Sequence, residues 1–259
     1  MNKSIRKIFY IFFIIIITNI FIVGCGSKEK KDNNIIISAA SSLQDPIKEI
    51  INNFEKENNI KVDLNLASSG KLEKQIERGA PADLFMSADP LNVKRLIDKG
   101  LIDKNSYENF LSNDIVLIAN NKVTNINSLD DLKNKEVSIV IGETTTVPVG
   151  IYGKESLQNL KIWDTIKDKI VFAANVKQVL NYVEKGEAEV GIIYESDSLD
   201  LKNSHVVTKI QSNTHKEIFY GLGFIKSSSK KDKVDKFIKY IKNNKSKEIF
   251  NKYKFKVLK

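Results

Sequence analysis

Residues 35–70 read IIISAASSLQDPIKEIINNFEKENNIKVDLNLASSG, and the spacing of their apolar positions decides the fold class. Ile35, Ile36 and Ile37 form a short β-branched run, the composition of a strand, which stops at Ser38-Ala39-Ala40-Ser41-Ser42. Ile47, Ile50, Ile51 and Phe54 then fall at i, i+3, i+4 and i+7, one face of a helix, with Pro46 in its first turn. Asn58-Asn59 ends that helix. Val62, Leu64 and Leu66 alternate as a strand does, stop at Ser68-Ser69-Gly70, and give way to a helix opened by Leu72 and Ile76. The same alternation continues outward. Strands are expected at residues 83–86, 115–119, 137–141, 171–173, 190–194, 206–207 and 220–225. Helices are expected around Val93 to Ile97, after Pro148, from Asn175 through Val183, and from Val234 to Ile241. Alternating strands and helices with continuous apolar strands predict an α/β fold of largely parallel sheets with helices on both faces.

The 259-residue chain is 42% hydrophobic and 28% charged, enough apolar material for one large domain or two lobes. It has one cysteine and two histidines, which excludes an intrachain disulfide and Cys- or His-rich metal centres. The formal charge is +9. Lysines are spread along helix faces beside glutamate, as in Glu55-Lys56-Glu57, a pattern that fits solvated faces near an anionic membrane and not nucleic acid. At the N-terminus Lys3, Arg6 and Lys7 precede an apolar run from Ile8 to Val23 that ends at Gly24-Cys25. A basic start, an apolar middle and small residues at the end make a secretory signal over residues 1–24. The lone cysteine at the cut resembles the lipobox of bacterial lipoproteins, in which the thiol takes a diacylglycerol. Residues 25–34 then read as a polar tether.

In open α/β sheets ligands sit at the carboxyl ends of strands, facing helix N-termini. Four strand-to-helix junctions carry small or polar residues: Ser41-Ser42, Ser68-Ser69, Pro148-Val149-Gly150 and Asn175-Val176. Each helix start offers unpaired N–H groups and a partial positive charge. If they converge, they make an anion site without lysine or arginine. Taken singly, each serine or asparagine is as readily a simple N-cap. Ser68-x-x-Lys71 matches the S-x-x-K of serine penicillin-interacting enzymes, but the companion Lys-Thr-Gly and Ser-Asp-Asn motifs are absent from the sequence. Gly70-Lys71 lacks the earlier glycine of a phosphate-binding loop, and Gly221-x-Gly223 lacks a third glycine.

The stretch Ala67-Ser68-Ser69-Gly70, followed by Gln75-Ile76-Glu77-Arg78-Gly79-Ala80-Pro81-Ala82-Asp83-Leu84-Phe85-Met86-Ser87-Ala88-Asp89, resembles the signature of the molybdate-binding proteins of ABC transporters. So do Ser38-Ala39-Ala40-Ser41-Ser42-Leu43, Val147-Pro148-Val149-Gly150-Ile151-Tyr152, and Asn175-Val176 followed by Gly191-Ile192-Ile193-Tyr194. The resemblance runs in family order over nearly all of residues 35–258. It implies a two-lobed periplasmic-binding-protein fold of type II, each lobe a mainly parallel sheet flanked by helices. Lobe I would be residues 35–115 plus 221–259 and lobe II residues 116–220, with two crossing hinge strands near Ile115–Ala119 and Tyr220–Phe224. It also implies capture of molybdate or tungstate, with hydroxyls from Ser42, Ser69 and Tyr194 and backbone N–H groups from Ser42, Ser69, Val149 and Val176 on the oxyanion. The chain departs from the family pattern in three places. The loop Glu143-Thr144-Thr145-Thr146 lacks a common proline, Val149 replaces a common alanine, and Gly70 replaces a serine or threonine.

The expected protein is therefore a receptor and not an enzyme. It would be lipid-anchored through Cys25 to the cell membrane, facing outside the cytoplasm. It would act as a monomer without a cofactor or nucleic-acid partner and hand its anion to a membrane permease backed by an ATPase. The alternatives are a same-fold receptor for another oxyanion such as sulfate or phosphate, a surface acyl-transfer enzyme using Ser69 and Lys71, and an adhesive lipoprotein.

Overall fold

The computed structural model describes residues 34–258. The signal segment, Cys25 and nearly all of the tether lie outside the described residues. From Asn34 the chain builds the first sheet with β1 (Ile35–Ala40), β2 (Val62–Ala67), β3 (Leu84–Ser87) and β4 (Glu108–Ser112). It then enters a second sheet as β5 (Ile115–Asn120), β6 (Ile139–Gly142), β7 (Ile170–Ala173), β8 (Val190–Tyr194) and β9 (Ser204–Lys209). It returns to the first sheet as β10 (Phe219–Phe224) and ends there as β11 (Lys256–Val257). The first sheet has the order β11-β4-β10-β3-β1-β2 and the second β7-β6-β8-β5-β9.

The α/β architecture agrees with the sequence reading, and the sheets differ from it in one respect: they are mixed, not mainly parallel. β1 runs parallel to β2 and β3, and β6 parallel to β7 and β8. β10 is antiparallel to β3 and β4, and β5 is antiparallel to β8 and β9. Helical crossovers build the parallel set, as parallel pairing requires. The antiparallel strands are the ones that carry the chain between the sheets. The expected crossing segments are themselves strands of one sheet each. The chain passes between sheets just beside them, at Asn113–Asp114 and across residues 210–218.

The helix Gln44–Asn58 buries Ile47, Ile50, Ile51 and Phe54, the face read from their spacing. Its Phe54 ring meets Phe237 edge-on at 5.1 Å, which seats the C-terminal helix Lys231–Ile241 beside it. Leu72 and Ile76 pack with Phe85, Val93 and Leu96 under the helices Ser69–Glu77 and Pro90–Asp98. In the second sheet every residue of β5 and β8 is buried. These buried strands anchor the second-sheet side of the site.

Candidate anion site between helix starts

Two parallel strand pairs position the site. β1 and β2 end in register, Ala40 beside Ala67, and β6 and β7 end in register, Gly142 beside Ala173. Parallel strands finish on the same edge of a sheet, so each pair delivers two neighbouring helix starts. After β1 a 3₁₀ turn, Ser41–Leu43, runs into the helix from Gln44, and after β2 comes Ser69–Glu77. After β6 comes Pro148–Asn159, and after β7 comes Val176–Lys185.

All five residues singled out in the sequence, Ser42, Ser69, Val149, Val176 and Tyr194, line one small cavity. None of its lining residues carries a charged side chain. The hollows beside β4 and beside Asp114 gather none of these four helix starts. Of the four junctions only Asn175 acts as a side-chain N-cap, accepting from Gln178 N–H at 3.0 Å. Ser68 makes no such cap.

The hydroxyl partners are specific. Ser69 Oγ accepts the N–H of Ala88 at 2.9 Å. Ser42 Oγ accepts the O–H of Tyr220 at 2.9 Å. Tyr194 is 1% exposed, and its Oη has no hydrogen-bond partner among the described residues. Burial pushes the Tyr194 phenol well above its usual range, so it remains a neutral donor. A buried hydroxyl left without a partner costs about 1–3 kcal/mol. Here it stands at the wall of a cavity ringed by helix N-termini.

Contacts near the site join the two sides. Gly70 N–H donates to Thr146 O at 3.0 Å. A Cβ at position 70 would lie 2.7 Å from that oxygen, so a side chain there collides with the 143–146 loop. Two of the departures noted in the sequence thus meet in space, glycine at 70 and the altered loop. Lys177 Nζ reaches Asp45 Oδ2 at 2.6 Å, Asp200 Oδ2 at 2.6 Å and Asp197 Oδ1 at 3.0 Å. Asp45 begins on the first-sheet side and Lys177, Asp197 and Asp200 on the second. Burial pushes Asp197 up to about 7 against the pull of Lys177.

Glu143 does not line the cavity; its carboxylate accepts from Thr145 Oγ1 at 3.3 Å. Lys71 is exposed while Ser68 and Ser69 are both buried, which does not favour the S-x-x-K reading. The sequence reading missed Tyr220 and Asn113 as polar neighbours of the site. Asn113 Nδ2 donates to Tyr220 Oη at 3.4 Å, and residues 42 and 220 lie 178 positions apart.

Residues 35–256 match the family described as bacterial extracellular solute-binding protein. The chain is 38% identical over 256 residues to the Bacillus subtilis "Putative ABC transporter substrate-binding lipoprotein YvgL", covering 96% of this chain and 98% of that one. It is 34% identical over 238 residues to the molybdate-binding protein ModA of Escherichia coli, covering 90% and 92%. A solved structure described as "substrate binding domain of putative molybdenum ABC transporter from Clostridium difficile" superimposes with a TM-score of 0.68 at 36% identity, covering 87% of this chain and 99% of that one. The chain belongs to the bacterial extracellular solute-binding protein family.

Proposed function

We propose that the protein is a lipid-anchored extracellular receptor that captures molybdate or tungstate and delivers it to an ABC permease and its ATPase. Residues 35–115 with 221–259 form one lobe and 116–220 the other, closing on the anion as a monomer. Residues 1–24 are the cleaved leader, and Cys25 carries the lipid at the end of the 25–34 tether. Cys25→Ser protein should leave the membrane fraction, since stable anchoring needs more than one acyl chain.

One observation carries the reading: the Tyr194 hydroxyl, buried and without a well-formed hydrogen bond among the described residues, lines an uncharged cavity where four helix starts meet. The hydroxyls of Ser42, Ser69 and Tyr194 and the N–H groups of Ser42, Ser69, Val149 and Val176 are the donors for the anion. A fully deprotonated dianion such as molybdate suits a shell of donors at every oxygen. Phosphate carries a proton near neutral pH and needs an acceptor, which no lining carboxylate provides. Sulfate is a smaller tetrahedron, and helix ends fixed by buried strands cannot shrink around it without lengthening hydrogen bonds. The relatives named for molybdate support the same choice.

The test is thermal melting and calorimetry of anion-stripped protein with molybdate, tungstate, sulfate and phosphate. A ligand bound only by the folded state stabilises it by about 4 kcal/mol at 1,000 times its dissociation constant. Molybdate or tungstate should raise Tm strongly and sulfate and phosphate much less. No shift at millimolar molybdate refutes the reading, and equal binding of sulfate moves it to the sulfate branch.

A further inference from the structure

The direction of the Ser42 hydroxyl is set by a chain of hydrogen bonds that begins where the protein strand passes from one sheet to the other. Asn113 lies in that passage, between β4 and β5. Asp114 N–H donates to Asn113 Oδ1 at 2.9 Å, which fixes which end of the amide faces which way. Asn113 Nδ2 then donates to Ser196 Oγ at 2.8 Å and to Tyr220 Oη at 3.4 Å. An amide NH₂ only donates, so the tyrosine oxygen accepts there, and the Tyr220 O–H donates to Ser42 Oγ at 2.9 Å. Ser42 Oγ accepts in its turn, and its proton is left to point elsewhere. Asn113, Tyr220 and Ser42 are all buried, and Ser42 lines the cavity.

A free serine hydroxyl is both donor and acceptor and turns to suit its partner. It would donate to molybdate and equally well accept the proton of a protonated oxyanion. We propose that Asn113 and Tyr220 are positioning residues that hold Ser42 as a donor toward the bound oxyanion, so that the site discriminates against oxyanions that carry a proton. The inference rests on the oxyanion reading above and deepens it. Ser196 follows β8 on the second-sheet side, so groups from both sheets hold the relay in place. In a buried relay each bond polarises the next, which strengthens the last donor.

The experiment is calorimetry at pH 7 with molybdate and with phosphate, every abundant form of which carries a proton, on anion-stripped wild type and variants. Tyr220→Phe keeps the ring and removes the relay. Molybdate affinity should fall about 3- to 10-fold, the range of one neutral hydrogen bond, and phosphate affinity should fall less or rise. The molybdate-to-phosphate ratio therefore drops. In a Ser42→Ala background Tyr220→Phe should change molybdate affinity by less than about twofold, because its partner is already gone. Asn113→Asp reverses the relay: the carboxylate accepts the tyrosine proton, Ser42 donates to Tyr220, and a lone pair faces the cavity. Its added charge weakens both anions, but the ratio should fall further than in Tyr220→Phe. If Ser42→Ala does not fold, the ratio in Asn113→Asp decides the question. Additive losses in the double variant, or an unchanged ratio in Tyr220→Phe and Asn113→Asp, overturn the inference and leave the receptor reading standing. Wild type that binds no molybdate overturns both.

Discussion

β1 and β2 end at Ala40 and Ala67 and hand the chain to helix starts carrying Ser42 and Ser69; β6 and β7 end at Gly142 and Ala173 and hand it to helix starts carrying Val149 and Val176. The framework is the same on both sides, two parallel strands with two helix N-termini. The donors are not. The first side adds serine hydroxyls whose oxygens are already engaged, by Tyr220 and by Ala88. The second adds apolar valines at its helix starts and, from the end of β8, a tyrosine hydroxyl with no partner among the described residues. A backbone N–H at a helix start points where the helix points and needs no side chain to aim it. A hydroxyl rotates, and something must aim it. The first side is thus specified by its hydrogen-bond partners, the second by the position of its helices and by how closely it approaches the first.

That approach is the easiest part of the comparison to break. Gly70→Ala places a Cβ against Thr146 O, where there is room for none. Overpacking costs about 1–3 kcal/mol. Molybdate affinity should fall by up to about 100-fold in calorimetry, while the melting temperature of anion-stripped protein in the open state changes little. Gly150→Ala supplies the contrast. Its Cβ would lie 1.9 Å from Gly142 O, within the second side itself, so it should lower the melting temperature with and without anion. If Gly70→Ala costs stability and spares affinity, the close approach is not part of binding.

The hydroxyls sharpen the comparison through effects of opposite sign. Ser69→Ala and Tyr194→Phe should each weaken molybdate binding about 10-fold or more, the worth of a hydrogen bond to a charged group. In the anion-free protein they should diverge. Ser69→Ala strands the Ala88 N–H, at about 1–3 kcal/mol, whereas Tyr194→Phe removes a hydroxyl with no well-formed hydrogen bond among the described residues and should leave stability unchanged or raised. Denaturant unfolding of stripped protein reads the difference, and a loss of equal size in both would erase the distinction drawn between the two sides.

The part of this arrangement that was legible in the sequence is the part written in periodicity. The helix Gln44–Asn58 shows its buried face as spacing, β5 and β8 show theirs as continuous apolar runs, and the four junctions show their small and polar residues as composition. β4 did not show itself: Phe110 and Leu111 are its only apolar residues, and it is a strand because β10 and β11 pair with it. The helix Asn244–Lys252 was hidden for a similar reason, since only Ile249 and Phe250 mark its apolar face. In the site, the residues that line the pocket were named from the sequence and their hydrogen-bond partners were not. Tyr220 reads as one more apolar position of a strand until β10 is laid beside β3 and β4, and Gly70 reads as an ordinary turn glycine until Thr146 stands against it. Long-range pairing carries no local signature.

The second contact across the cavity's edge is weaker than the first. Lys177 keeps Asp197 and Asp200 when Asp45 is changed, so Asp45→Asn removes only the link to the first side. A partly exposed ion pair is worth about 0.2–1 kcal/mol. Asp45→Asn should lower molybdate affinity by about 1.5- to 5-fold at low salt and less at high salt, as measured by calorimetry across ionic strength.

Around that same lysine the two sides titrate in opposite directions. Burial would raise the Asp45 carboxyl, but the hydrogen bond and charge of Lys177 outweigh it and hold Asp45 below its usual value. At Asp197 burial wins, aided by the nearby charges of Asp200 and Asp45, and its carboxyl is pushed up to about 7. Stability follows the proton each state binds. Folded Asp197 holds a proton between about pH 4 and pH 7 that the unfolded chain has given up. Its contribution is fully present below that window and is lost as pH rises through about 7. Asp45 works the other way: its contribution is present above the ordinary carboxylate range and is lost as pH falls. Melting temperatures of anion-free protein between pH 5 and pH 8 should therefore carry a downward component with rising pH, and Asp197→Asn should remove it. Asp45→Asn should instead leave that component in place, displaced to lower pH because one of the charges that raises Asp197 is gone. A slope that survives Asp197→Asn unchanged would place the titrating proton elsewhere and leave Lys177 flanked by three ionised carboxylates throughout.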